Sequence, residues 1–231
     1  MKWPRRILAL LVLLVVGCGV FGAAKRQTYP ETTAQPNYME DLMVATLNQD
    51  GCSYILQNLQ EKLPRSPIIL RVTPTTDLIP IFYAGKQKFV VEEVYAGDSL
   101  KVGEEIWVVS GSWCAVIDHQ YRQMAFYFVN TPKQGQEYLI FLSRQLEIVD
   151  GFESLPVFQL QKGVSIDPVF CYNDLDTQVD APPGQPLDIP VPYREVADQE
   201  FFAESQAIMD AMVEAKHALL EQYPRSISAQ P

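Results

Sequence analysis

Apolar positions divide this chain into blocks of different period. Residues 7–24 (ILALLVLLVVGCGVFGAA) run for 18 positions without a charge, between Lys2, Arg5 and Arg6 on one side and Lys25 and Arg26 on the other. Residues 27–37 carry Pro30, Pro36 and three threonines and read as a spacer. Met39, Leu42, Met43 and Leu47 then recur at helical spacing. After a break at Asn48–Gly51 the period resumes with Ile55, Leu56, Leu59 and Leu63, until Pro64 and Pro67 stop it. Short helices over 38–47 and 52–63 are predicted.

From Ser66 to Tyr172 the period shortens. Runs rich in β-branched and aromatic residues predict strands at 68–73, 78–83, 88–95, 105–110, 124–130, 138–143, 157–161 and 169–172. Turn signals separate them: Ala84-Gly85, Gly97-Asp98, Lys101-Val102-Gly103 and the stretch from Pro132 to Gly135. Strand 88–95 alternates, with Phe89, Val91 and Tyr95 on one face and Val90, Glu92 and Val94 on the other. Strands 105–110 and 138–143 are apolar on both faces, which places Trp107 and Phe141 in a core. Asp174 to Pro192 is a linker, with five prolines between Pro182 and Pro192. Residues 194–223 carry Phe201, Ile208, Met212, Ala215 and Leu219 in one stripe, widened by Phe202, Met209, Val213 and Leu220. That stripe predicts a long helix packed on a sheet. The expected fold is mainly β with flanking helices (α+β): a small OB-like barrel, an N-terminal anchor helix and a C-terminal helix packed on the barrel. The expected organisation is an anchor or signal at 1–26, a spacer at 27–37, a barrel domain with leading helices at 38–173, a linker at 174–193, a helix at 194–223 and a tail at 224–231.

Charge changes the picture twice. The chain has 18 bases and 28 acids, a net charge of −10. Five of the bases and none of the acids fall in the first 26 residues, which leaves −15 on the rest. Such a body repels phosphate backbones, so nucleic acid is excluded as a partner class. The basic start before an apolar run has the form of an export signal. Eighteen residues at 1.5 Å each span about 27 Å, near the ~30 Å of a bilayer core. Three fates follow: a retained signal anchor, a lipoprotein signal, or cleavage after Ala24. Val15-Val16-Gly17-Cys18 resembles a bacterial lipobox, which implies lipidation of Cys18. Each fate puts residues 27–231 outside the cytoplasm, anchored at a membrane or secreted.

Residues 88–143 carry an ordered set of short motifs. Lys88-Phe-Val-Val-Glu-Glu-Val-Tyr-Ala-Gly97 precedes Leu100-Lys-Val-Gly-Glu-Glu-Ile-Trp-Val-Val109; Cys114 follows, and then Gln134-Gly-Gln-Glu-Tyr-Leu-Ile-Phe-Leu142. This order resembles the netrin-like module of the tissue inhibitors of metalloproteinases and related bacterial secreted domains. The resemblance implies an OB-fold barrel with residues 68–72 as its first strand. It does not carry inhibition, because the family's N-terminal cysteine pair has no counterpart: Cys18 is followed by Gly19 and Val20.

Candidate chemistry is sparse. His119 follows Asp118 and lies near Ser110, Ser112 and Cys114, the residue types of a nucleophile–base–acid set. Neighbours on a strand point to opposite faces, so Asp118 is badly placed to orient His119, and a polar loop explains the stretch. His217, beside Lys216, reads as a solvated helix face. Glu92-Glu93 and Glu104-Glu105 face opposite ways for the same geometric reason and do not form acid–base pairs. Asn173, Asp174, Asp176 and Asp180 form an acidic loop, but an EF-hand starting at Asp174 would need glycine and glutamate where Val179 and Gln185 stand. No metal site and no cofactor are expected. Cys52, Cys114 and Cys171 are odd in number; Cys114–Cys171 is the first candidate disulfide, with three buried thiols as the alternative.

The expected function is therefore an extracytoplasmic, membrane-anchored binding module for a protein or peptide, not an enzyme, with Trp107, Trp113, Tyr121 and Tyr127 as aromatic candidates. The alternative is an extracytoplasmic hydrolase around Cys114 and His119.

Overall fold

The computed structural model describes residues 3–28, 40, 43–44, 46–81, 84–111, 123–124, 128–147, 155–173, 175–179 and 191–226. The chain divides into two units, Met1–Tyr38 and Met39–Pro231. The first contains α1 (Trp3–Thr28), which carries the uncharged run and continues past the basic pair Lys25-Arg26. Leu13, Val15, Val16 and Phe21 are exposed along it. Its side chains are described only at Ile7 and over residues 11–25. Among the described residues no helix is long and apolar enough to cross a membrane.

In the second unit the predicted helix over 38–47 is absent where it is described: Met43–Val44 is a short strand, β1. Leu47 forms a parallel bridge with Ala203, its amide donating to the Phe202 carbonyl at 2.7 Å. Main-chain pairing with a distant segment overrides the local helical spacing here. The next helix, α2 (Gln49–Lys62), forms as expected. Asn48 caps it by accepting from the Gly51 amide at 2.8 Å, and Cys52, Ile55 and Leu59 are buried along one face.

The strands that follow are β2 (Ile68–Pro74), β3 (Ile79–Ile81), β4 (Ala84–Ala96), β5 (Glu105–Ser110), β6 (Gln123–Met124), β7 (Tyr138–Leu146), β8 (Val157–Leu160) and β9 (Val169–Cys171). Five of them close a barrel in the order β2-β4-β5-β8-β7, with β7 returning to β2. All neighbours are antiparallel except β5 and β8. Strand β3 extends the barrel beside β4, and β9 beside β7. A second, three-stranded sheet joins β6, β1 and β10 (Val191–Pro192).

The barrel interior holds Leu70, Val72, Phe89, Val91, Ile106, Val108, Ile140, Leu142 and Phe158. Trp107 and Phe141 are buried, at 4 % and 0 % exposure, but on the outer surface of the barrel. Phe141 belongs to the layer between the barrel and the helices, and Trp107 packs with Val109 and Val157 elsewhere on the wall. The alternation of β5 and β7 requires this: Ile106, Val108, Ile140 and Leu142 take the inward positions.

The predicted single-face set on β4 also breaks. Opposite β2, residue pairing steps from Val72–Val91 to Arg71–Glu93, then to Leu70–Val94 and Ile69–Ala96. Glu92 and Tyr95 are therefore extra residues, two bulges that reverse the side-chain parity. Phe89 and Val91 face the interior and Val94 packs against that same cluster, while Tyr95 joins the helix-side layer. The turn after β4 needs glycine. Gly97 has φ +106°, and a Cβ there would sit 3.3 Å from the Pro67 carbonyl oxygen.

The long terminal helix is split. Residues Tyr193–Val196 make one turn, α3, and α4 runs from Gln206 to Gln222. Between them Phe201 and Phe202 are extended and buried, bonded to the backbone around Val129 and Leu47. Ile208, Met209, Met212 and Leu219 of α4 are buried with Ile55 and Leu59 of α2 over Leu139, Phe141 and Phe170. The apolar stripe thus docks on its own barrel. Lys216 departs from the sequence reading: it is buried rather than solvated.

Candidate functional site

One cavity of about 570 Å³ opens where β5 and β8 end. Its apolar wall includes Val109, Leu160 and Ile166, and its polar groups come from Ser110, Gln161, Lys162 and Asp167. Residues of the loop from 161 to 167 line it as well. That loop is fixed at three points: the Gln161 amide donates to the Phe141 carbonyl at 2.8 Å, Lys62 of α2 donates to the Gly163 carbonyl at 2.5 Å, and Val164 and Ile166 are buried in the helix-side layer.

At the buried end, the Ser110 hydroxyl donates to Asp167 Oδ1 at 2.5 Å, with both residues about 5 % exposed or less. Gln161 orients its amide by donating to the Lys162 carbonyl at 3.3 Å, and its buried Oε1 has no hydrogen-bond partner among the described residues. Backbone strain converges here too. Among the described residues only Phe128 (φ +65°) and Ser165 (φ +62°) are non-glycine residues in the left-handed region, and both line this cavity. Each costs on the order of 1–3 kcal/mol, a cost met by surrounding packing. The size suits a small ligand or a peptide side chain, with an apolar wall and a few placed polar groups.

Of the residues singled out in the sequence, Ser110 lies in this cavity. Ser112, Trp113, Cys114, Asp118, His119, Tyr121 and Tyr127 lie outside the described residues, as do Asp174 and Asp180. Cys171 is a free, buried thiol in β9. Burial pushes its pKa up, the Glu200 carboxylate adds to the rise, and a hydrogen bond at Asn173 and the Lys216 charge oppose it. A raised pKa and burial both disfavour its thiolate form. Cys52 is likewise free, buried and raised by burial, and Cys18 is free and exposed on α1. Glu104 accepts from the Lys101 amide in a turn at 3.1 Å, while Glu105 opens β5 exposed. Asn173 and Asp176 spend oxygens on the chain itself, Asn173 on Lys216 and Arg225 and Asp176 on the Gln178 amide. His217 lies on an exposed face of α4. Among the described residues no three His, Cys, Asp or Glu side chains stand together as metal ligands.

Asp167 escaped sequence reasoning. Its only sign is an acid set between Ile166 and Pro168 in an otherwise apolar approach to β9. No protein-family model matches the chain, and no curated protein matches it.

Proposed function

We propose that this protein is a binding module held at the outer face of a membrane by residues 1–26, and that it receives a protein or peptide partner through the cavity beside β5 and β8. The observation that carries the reading is the cavity itself, with its buried Ser110–Asp167 pair and two strained residues at one place. The barrel order first-second-third-fifth-fourth, closed by its first strand, supports an OB-type barrel, and the motifs over 88–143 support its netrin-like variety. The 18-residue uncharged run between basic flanks supports the membrane location.

Gly111 lines the cavity, and a Cβ there meets no atom of the described residues within 4 Å. Gly111→Trp therefore places bulk at the site with little cost to the fold. The full chain should recover a protein or peptide from an extract of the surrounding envelope, and Gly111→Trp should lose it while melting normally. Equal recovery by both chains, or by neither, contradicts the cavity as the binding site.

A further inference from the structure

A second site lies on the outer wall of the barrel, where the chain's own C-terminal segment is held as a peptide ligand would be. Arg71 of β2 is buried, and it fixes two carboxylates: Nε lies 3.2 Å from Glu93 Oε2 and Nη1 lies 2.7 Å from Glu137 Oε1. The bulge at Glu92 turns Glu93 to this face. Both carboxylates keep acceptor capacity on the outer side, and residues 223–226 use it. Arg225 Nε sits 3.1 Å from Glu137 Oε2, and the Ser226 amide donates to Glu93 Oε2 at 3.1 Å. The Ser226 hydroxyl donates to Glu93 Oε1.

Two tyrosines read the main chain. Tyr172 donates to the Tyr223 carbonyl at 2.6 Å, and Tyr95 to the Pro224 carbonyl at 2.7 Å. The Arg225 guanidinium lies 5.1 Å from the centre of the Tyr172 ring and donates to Asn173 Oδ1 at 2.5 Å. The Tyr223 ring packs edge-on to Phe141 at 5.7 Å. Main-chain carbonyls, one aromatic anchor and one arginine are thus recognised separately, which is how extended peptides are bound.

Tyr223 packs against the helix-side core, and beyond it residues 224–226 are held at the surface. Arg225 is 42 % exposed, so its contacts with Glu137 and Asn173 are open to water and to competition from another arginine. The helix before it is held by different residues, Ile208, Met212 and Leu219. Residues 224–226 can therefore leave while the helix, capped at Tyr223, stays. What they uncover is an acidic, tyrosine-lined cleft on a body whose net charge is −15 outside the first 26 residues. We infer that this cleft is a recognition site for an extended, arginine-bearing peptide segment of another protein, and that residues 223–226 occupy it in cis.

The test uses the full chain in detergent and a fluorescent synthetic peptide copying residues 222–231, followed by anisotropy. The double variant Tyr223→Ala/Arg225→Glu vacates the cleft, because the new carboxylate meets Glu137. It should bind the peptide at least tenfold more tightly than the unaltered chain, and adding Glu137→Gln should remove the gain. Arg225→Ala alone should give a smaller gain in the same direction. Equal binding by vacated and unaltered chains overturns the inference. So does a gain that Glu137→Gln leaves intact. Loss of folded structure in both the double variant and Arg225→Ala also overturns it, since a removable tail must leave the barrel standing.

Discussion

Lys216 Nζ lies 2.6 Å from Glu200 Oε2, and the two side chains are 4 % and 7 % exposed. The pair joins α4 to the barrel, because Glu200 Oε1 accepts the Cys171 amide of β9 at 2.6 Å and Lys216 also donates to the Asn173 carbonyl. Removing one partner of a buried pair strands the other charge, at about 3–5 kcal/mol. Lys216→Ala should therefore destabilise the protein by that amount in urea unfolding. Lys216→Met with Glu200→Gln should cost much less, since the amide still accepts from Cys171 and no charge is left buried. Equal losses in the two variants would show that the site depends on the charge pair itself.

Phe141 and Trp107 are buried on the outer wall, in separate layers. Phe141 stacks edge-on with Phe170 at 6.1 Å, and Trp107 lies beneath the Lys86 ammonium at 4.7 Å from the ring centre. Truncation to Ala should cost about 3–5 kcal/mol at either position. Because the layers differ, the losses should add within roughly 0.5 kcal/mol in the double variant. Strong coupling in that double-mutant cycle would contradict two separate layers.

Most of the barrel was legible in the alternation. Strand 105–110 was predicted at its observed bounds, and 68–73, 138–143, 157–161 and 169–172 shift by three residues at most at either end. What misled were places where distant pairing decides. Residues 38–47 and 194–223 carry helical spacing, yet Leu47 of the first pairs with Ala203 of the second. Two bulges turned Tyr95 away from the interior, and nothing in a period-two pattern announces a bulge. The site was barely legible. Ser110 stood in a candidate set for a different reason, while Asp167 and Lys216 gain their roles only from a fold that buries them.

Glu93 supplies a pH dependence. Burial alone would raise its pKa, but the hydrogen bonds from Ser226 and the charge of Arg71 outweigh it and hold the carboxyl below its ordinary value near 4.5. A depressed carboxylate stabilises the folded state above the unfolded pKa, and that contribution fades as pH falls through the folded one. The melting-temperature difference between the unaltered chain and Glu93→Gln should be constant from pH 7 to about 5 and shrink below about 4.5. A difference that grows in acid has the wrong sign for this network.

The terminal helix stabilises the barrel it covers. Ending the chain after Asp180 removes Phe201, Phe202, Ile208, Met212 and Leu219, all buried, each worth about 1.5–3 kcal/mol of burial. The shortened protein should melt far lower and expose an apolar face that binds a hydrophobic dye. A truncated chain that melts at the same temperature and stays monomeric would mean that α4 contributes nothing to this barrel.

The central claim, a binding module displayed outside the cytoplasm by residues 1–26, is tested most directly by protease treatment of intact cells expressing the full chain. The account predicts that the protein sediments with membranes, that external protease removes the body, and that deleting residues 1–26 abolishes both behaviours. Within that result, fatty-acid labelling lost in Cys18→Ala would select the lipidated form over a retained anchor. A full-length chain recovered in the cytosol and protected from external protease would contradict the account.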